Sequence, residues 1–289
     1  MQENGNSSGS SDKSSSTQVM PESKISVVSS AALVSILVPC CGMIEYTKLC
    51  VPSILRHSRP PIELIFLDIG SLDGTAEYLA GIKAASSARV EVVRTPADLG
   101  ISDVCKEALA EARGEYLVLL NNDTVVTEGW LQQLISLVGM SPALGMAGPM
   151  SNYAAPPQLV ETVPYRTKPK RARAPSRFRA DDVLVDVDAV SAFAREFREK
   201  AKGKWMEVER LGGFCLLLKR HVLERIGLVH LNKWTDLSLF DTDILSVKAR
   251  QAGFTLACCR DLFIHHFGTR TFSHGAPSSA SKPKEARTS

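Results

Sequence analysis

From about residue 33 the chain alternates short apolar runs with amphipathic stretches. Ser35-Ile36-Leu37-Val38-Pro39, Glu63-Leu64-Ile65-Phe66-Leu67-Asp68, Val90-Glu91-Val92-Val93, Glu115-Tyr116-Leu117-Val118-Leu119-Leu120 and Leu144-Gly145-Met146-Ala147-Gly148 have the length and the β-branched or aromatic content of strands. Between them lie helical stretches: 45–56, with Pro52 predicting an interruption or kink, 75–85 and 128–140. Ile101, Val104, Cys105, Ala108, Leu109 and Ala112 fall on one helical face. Strands alternating with crossover helices predict an α/β fold, Rossmann-like, with a mostly parallel central sheet flanked by helices.

The pattern breaks from Pro149 to about Pro175, where Pro156-Pro157, Pro164 and Pro169 exclude long helices. Lys168 to Arg179 is a basic run, readable as a solvated loop, a contact for an acidic ligand or acceptor, or a membrane-surface patch. Val190 to Lys202 reads as a helix, Leu216-Leu217-Leu218 as a buried strand and Arg220 to Ile226 as a short helix stopped by Gly227. Phe240-Asp241-Thr242-Asp243 opens a further helix ending at Gly253, and Phe254 to Ala257 is a strand. Residues 1–30 and 275–289, rich in Ser and other small or polar residues, are expected to be disordered tails around a single domain over 31–274.

Composition narrows the class. In 289 residues, 44% are hydrophobic and 22% charged, as in an ordinary globular protein, and the net charge of +3 gives no reason to expect a nucleic-acid partner. Seven cysteines without a CxxC pair suggest reduced thiols, and Cys40-Cys41 and Cys258-Cys259 read as core fillers. No run reaches the ~20 apolar residues of a membrane span, and no secretory leader is evident. The expectation is a cytoplasmic protein, at most in peripheral contact with the inner face of the membrane.

Polar residues that can carry chemistry sit at the ends of these elements. In open α/β sheets, ligands bind outside the carboxyl ends of the strands. The second strand ends in Asp68 and the fourth in Asn121-Asn122-Asp123, so both aspartates are candidates for one crevice. Asp241 and Asp243 begin a helix, and His265-His266 close the ordered chain. An aspartate at a strand end can accept hydrogen bonds from a ribose or base, and a carboxylate with a nearby histidine can hold Mg²⁺ or Mn²⁺ against a diphosphate. A further carboxylate can take a proton from an acceptor hydroxyl. The plainer alternative is capping: Asn122 and Asp123, Asp73, and Asp241 with Asp243 each precede or open a helix.

Taken in order, Ser35–Pro39, Asp68-Ile69-Gly70-Ser71-Leu72-Asp73-Gly74-Thr75, Gly114–Thr124, Gly213-Phe214-Cys215-Leu216-Leu217-Leu218-Lys219-Arg220, Phe240–Asp243 through Gly253, and His265-His266-Phe267-Gly268 resemble the family 2 glycosyltransferases. The resemblance implies the GT-A fold, with a nucleotide-sugar-binding half over 31–150 and an acceptor and catalytic half over 151–274. It implies nucleotide contacts from Pro39, Cys41, Asp68, Gly70, Asp98, Gly100, Asn121 and Asn122. Asp123 with His266, or His265, would hold a divalent metal, Mn²⁺ or Mg²⁺. Gly213 and Phe214 would line the acceptor side, and Asp241 or Asp243 would be the general base. The implied reaction is inverting transfer from a UDP-, GDP- or dTDP-sugar to a glycan, a lipid-linked sugar or a protein.

The chain departs from that pattern at Cys40-Cys41-Gly42, Ile69, Cys105, Thr242 and Ile244. These departures keep open a nucleotide-sugar-binding scaffold that has lost catalysis. A nucleotidyltransferase is disfavoured, because Pro39–Glu45 contains one glycine and no Lys or Arg where that class places a basic phosphate loop.

Overall fold

The computed structural model describes residues 17–19, 32–59, 61–95, 101–166, 185–227 and 241–268. Its strands are β1 (Thr17–Val19), β2 (Val34–Cys40), β3 (Ile62–Ile69), β4 (Arg89–Thr95), β5 (Tyr116–Leu120), β6 (Thr124–Val125), β7 (Leu144–Met150), β8 (Lys204–Val208), β9 (Cys215–Lys219), β10 (Thr255–Phe263) and β11 (His265–His266). The helices are α1 (Ile44–His57), α2 (Thr75–Ala85), α3 (Ile101–Glu111), α4 (Trp130–Gly139), α5 (Val187–Ala201), α6 (Arg220–Arg225) and α7 (Thr242–Gln251).

Nine strands form one sheet in the order β1-β8-β10-β7-β9-β5-β2-β3-β4, and β6 pairs with β11 in a second, two-stranded ladder. The pairings β2–β3, β2–β5, β3–β4 and β7–β10 are parallel; those of β8 and β9 with their neighbours are antiparallel. All strands of the large sheet except β8 and β9 therefore point the same way, and the expected mostly parallel sheet is present with two reversed members.

The unbroken apolar runs follow from burial on both faces. Ile36, Val38, Leu64, Phe66, Val118 and Leu120 face α1 and α4, where Ile54, Trp130 and Leu134 are fully buried. Their alternates Leu37, Ile65, Leu67, Leu117 and Leu119 face Cys105 and Ala108 of α3, with Val222 of α6 and Leu245 of α7 in the same cluster. The helix over 44–57 continues through Pro52, which lies on the exposed side of α1.

Three pieces differ from the sequence expectation. β8 pairs antiparallel with β10, although its five residues, two of them exposed, give too short a pattern to read. β10 runs on from Thr255 to Phe263, with a register shift between Cys259 and Phe263 that accommodates Arg260 and Asp261. Thr17–Val19, inside the expected tail, adds to the edge of β8; all three residues are exposed, so apolar content carries no signal for this strand.

At the amino ends of β2 and β3 a buried carboxylate ties four segments together. Glu63 accepts from Ser35 Oγ at 2.6 Å, from the Arg113 N–H at 2.5 Å and from Arg89 Nη1 at 2.7 Å. Gly114 N donates to the same Ser35 hydroxyl at 2.8 Å. A Cβ at Gly114 would lie 2.6 Å from the Ser35 backbone nitrogen, so only glycine fits. Burial alone would push the Glu63 carboxyl up; the hydrogen bonds from Ser35, the Arg113 N–H and Arg89 outweigh it and hold the group below its ordinary value.

Glu63→Gln is expected to lower unfolding stability at pH 7 by about 1.5–3 kcal/mol, the range for hydrogen bonds to a charged group. A depressed carboxyl stabilises the fold above its unfolded value, near about 4.3, and the contribution is lost as pH falls through the folded value. Urea unfolding of both proteins should therefore show the gap between them closing from about pH 5 downward.

Candidate active site

β5 delivers Asn121-Asn122-Asp123 to the edge of the sheet, and the chain then enters β6. Register pairs His265 with Val125 and His266 with Thr124, and Phe267 N donates to the Asp123 carbonyl at 3.0 Å. This ladder brings a histidine from the end of the described chain against a carboxylate from its middle: His266 Nε2 lies 3.3 Å from Asp123 Oδ1, and both residues are buried.

The imidazole is held on every side. Its Nδ1 meets the Tyr153 carbonyl at 2.8 Å, His266 N donates to Asn152 Oδ1 at 3.0 Å, and Asn152 Nδ2 donates to the His266 carbonyl at 2.9 Å. The Phe214 ring stacks on it with centroids 5.2 Å apart and planes at 17°. A carbonyl only accepts, so Nδ1 carries the proton and the Nε2 of a neutral ring is a bare lone pair. That atom is buried without a hydrogen-bond partner and faces a carboxylate oxygen. At this spacing the two atoms are joined either by a second ring proton, as an imidazolium–carboxylate pair, or by a metal cation. Two ligands about 2.1 Å from one ion and at right angles are about 3 Å apart, so the pair fits a divalent ion. Among the described residues there is no group of three or more His, Cys, Asp or Glu that could hold a metal.

His265 faces the other way, as the next residue in a strand must. Its Nδ1 lies 3.1 Å from the Tyr165 hydroxyl, and the Phe267 ring packs edge-on at 4.5 Å. Desolvation, then the neighbouring His266, outweigh the pull of Asp123 and push its pKa down to about 3, so it is neutral. The structure thus brings His266, not His265, against Asp123.

On the opposite side of β5, Cys40, Asp68 and Arg94 stand in register at the ends of β2, β3 and β4. Asp68 is fully buried; Oδ1 accepts from Ser71 N at 3.2 Å and Oδ2 lies 3.3 Å from Arg94 Nε. Gly42 and Met43 both adopt left-handed backbone, at φ 68° and 62°. The turn is pinned by Gly42 N to Ser71 Oγ at 2.8 Å and by Ile44 N to Asp73 Oδ2 at 2.9 Å. Asp73 also accepts from the Thr75 hydroxyl and N–H, so it caps both α1 and α2.

Asn122 Nδ2 donates to Thr47 Oγ1 at 2.9 Å and to the Gly42 carbonyl at 3.4 Å, tying the end of β5 to this turn. Asn121 uses its backbone, with N donating to the Phe214 carbonyl at 2.9 Å. Gly70, at φ 60°, donates to the Thr95 carbonyl at 3.0 Å, and Pro39 is buried in β2. Asp98 and Gly100 lie outside the described residues.

The acceptor-side candidates form a separate wall. Gly212 N donates to Gln158 Oε1 at 2.7 Å, Gly213 is half-buried, and Phe214 is buried on His266. Leu211 N donates to Ser246 Oγ at 3.3 Å, which joins this segment to α7. Asp241 caps α7, accepting from Ile244 N at 3.2 Å; Asp243 is exposed, 4.0 Å from Arg210 Nη1. Among the described residues, no side-chain contact of Asp241 or Asp243 reaches the Asp123–His266 pair.

Sequence reasoning missed Asn152, the Tyr153 carbonyl and Arg94. All three follow or end strands at the ligand-binding edge, so the rule that singled out Asp123 also applies to them. Their roles depend on contacts 114 and 113 residues away, or across a strand pair, and no local pattern shows those.

Six of the seven cysteines are buried and Cys41 is half-buried. Burial raises the Cys40, Cys215 and Cys259 thiols and pushes Cys50 and Cys258 to about 12. Burial, then Asp68 and Asp73, raise Cys41 as well. Ellman's reagent at pH 8 is expected to titrate at most Cys41 in the folded protein, and slowly, but all seven thiols in denaturant. Fast reaction of two or more native thiols would contradict this packing.

The model of the family "Glycosyl transferase family 2" matches residues 35–205. An uncharacterized protein of Sinorhizobium fredii is 33% identical over 236 residues, 77% of this chain and 23% of the relative. The glycosyltransferase GlyG of Streptococcus pneumoniae is 28% identical over 121 residues, 42% of this chain and 40% of the relative. The alignments thus span well under half the length of these two relatives. Among solved structures, a mannosyltransferase of Pyrobaculum calidifontis in complex with GDP-Man and Mn²⁺ superposes with a TM-score of 0.56 at 16% identity, covering 86% of this chain and 59% of that one. GalNAc-T7 with UDP, GalNAc and Mn²⁺ gives 0.56 at 13% identity, covering 83% and 44%. At these identities the structures establish the fold, which is GT-A.

Proposed function

Because the chain belongs to glycosyl transferase family 2, we propose that it is an inverting glycosyltransferase. In this reading it moves a sugar from a nucleotide-diphospho-sugar to a hydroxyl of a glycan, a lipid-linked sugar or a protein. The observation that carries the reading is the buried, tautomer-fixed Nε2 of His266 set 3.3 Å from the Asp123 carboxylate.

Asp123 and His266 would hold Mn²⁺ or Mg²⁺, an ion that offsets the charge developing on a departing nucleoside diphosphate. Mn²⁺ accompanies both superposed structures, which supports a divalent ion here. Asp68, at the far side of β5, would accept from the ribose or base, and its ion pair with Arg94 keeps it oriented. Pro39, Cys41, Gly70, Asp98, Gly100, Asn121 and Asn122 complete the proposed nucleotide side. The left-handed Gly42-Met43 turn leaves backbone close to where the donor would lie.

Gly213 and Phe214 would border the acceptor. Asp241 or Asp243 would accept its hydroxyl proton as the bond to the anomeric carbon forms and the diphosphate leaves from the opposite face. The proposed location is the cytoplasm, with at most peripheral contact with the bilayer; among the described residues no helix is long and apolar enough to cross a membrane. The second reading, a nucleotide-sugar-binding protein without transfer, is favoured by one feature: Asp241 is engaged as a helix cap and Asp243 faces Arg210.

Hydrolysis of UDP-, GDP- and dTDP-sugars with Mn²⁺ tests the proposal. At least one donor should turn over, and Asp123→Ala should lose about 10²-fold or more, the scale of a lost electrostatic contact in the transition state. Of Asp241→Asn and Asp243→Asn, one should lose transfer while keeping nucleotide binding. Nucleotide binding with no turnover of any donor would select the second reading.

A further inference from the structure

β11 is only two residues long, yet it must present His266 to within ligand distance of Asp123. In an antiparallel pair the N–H and C=O of one residue point to the same side of the strand. Those of His266 point away from β6 and, in a buried strand, would be left without partners. Asn152, at the turn after β7, supplies both: its Oδ1 accepts from His266 N at 3.0 Å and its Nδ2 donates to the His266 carbonyl at 2.9 Å. One side chain thus stands in for a neighbouring strand. The next residue fixes the ring, because the Tyr153 carbonyl takes the Nδ1 proton at 2.8 Å.

We propose that Asn152 is the positioning residue of the candidate metal site, setting the place of His266 while the Tyr153 carbonyl sets its tautomer. The inference rests on the reading of Asp123 and His266 as a divalent-metal pair. Partners that orient a metal-binding histidine typically account for 10–100-fold in metal affinity. Losing Asn152 would leave two buried backbone groups unpaired and free the strand to shift, so Nε2 would no longer be held at the spacing one ion requires.

The test is Mn²⁺ binding to the full chain without nucleotide, read from the free-ion signal in electron paramagnetic resonance, with a thermal melt of each variant. Asn152→Ala is expected to weaken Mn²⁺ binding about 10–100-fold. Asn152→Ser, whose single hydroxyl can serve only one of the two backbone groups, should fall between it and wild type, and stands in if Asn152→Ala does not fold. Glu63→Gln, a stability change at the opposite edge of the sheet, should leave Mn²⁺ affinity unchanged. Wild-type affinity in folded Asn152→Ala or Asn152→Ser overturns the proposal while sparing the metal reading. If wild type binds no Mn²⁺, or His266→Ala binds it as tightly, the metal reading falls and the role of Asn152 with it.

Discussion

The site depends on a ladder of two residues against two. Thr124–Val125 meet His265–His266 outside the main sheet, and the Phe267 amide on the Asp123 carbonyl secures the end. Without this pairing the carboxylate is a residue at the end of a central strand and the histidine a residue much further along the chain, near the end of the described residues. With it, an imidazole nitrogen and a carboxylate oxygen are brought together in a buried place, an arrangement that is favourable when a proton or a metal cation joins them. The surrounding packing, Phe214 on the ring and Asn152 and Tyr153 along the backbone, sustains that arrangement.

The main sheet prepares the ladder through strand direction. The parallel strands β2, β3, β4 and β5 end at one edge and leave Cys40, Asp68, Arg94 and Asn121 there. β9 runs against them, so its beginning lies at the edge where they finish: Cys215 pairs with Leu120. The reversal carries Phe214 to His266 and places Leu211 against Ser246 of α7. The edge of β2 to β4 proposed for the nucleotide and the wall of β7, β9 and α7 proposed for the acceptor thus flank the end of β5.

Much of this was legible in the chain itself. Runs such as Ile36-Leu37-Val38 and Leu117-Val118-Leu119 are apolar without alternation because both faces of a central strand are covered, and that pattern is local. Asp68 and Asp123 stood out because ligands bind outside the carboxyl ends of such strands, with helix capping the plainer alternative for Asp123. Asp73 turned out to cap two helices, as its turn sequence allowed. The sequence could not distinguish His265 from His266. Adjacent strand residues take opposite faces, and only the register with Thr124 and Val125 decides which faces Asp123. Asn152 was invisible for a similar reason, since its partner lies 114 residues away. β8 and the end of β10 escaped because charged residues within them mask strands that are half-buried or irregular.

The most direct measurement is a crystal structure of the protein grown with Mn²⁺ and a nucleoside diphosphate, with anomalous data at the manganese edge. The account predicts one anomalous peak about 2–2.5 Å from both an Asp123 carboxylate oxygen and His266 Nε2. The diphosphate should complete the shell, and the nucleoside should lie toward Asp68. A nucleoside diphosphate bound with its ion elsewhere, and His266 Nε2 still facing Asp123 with nothing between them, would contradict it.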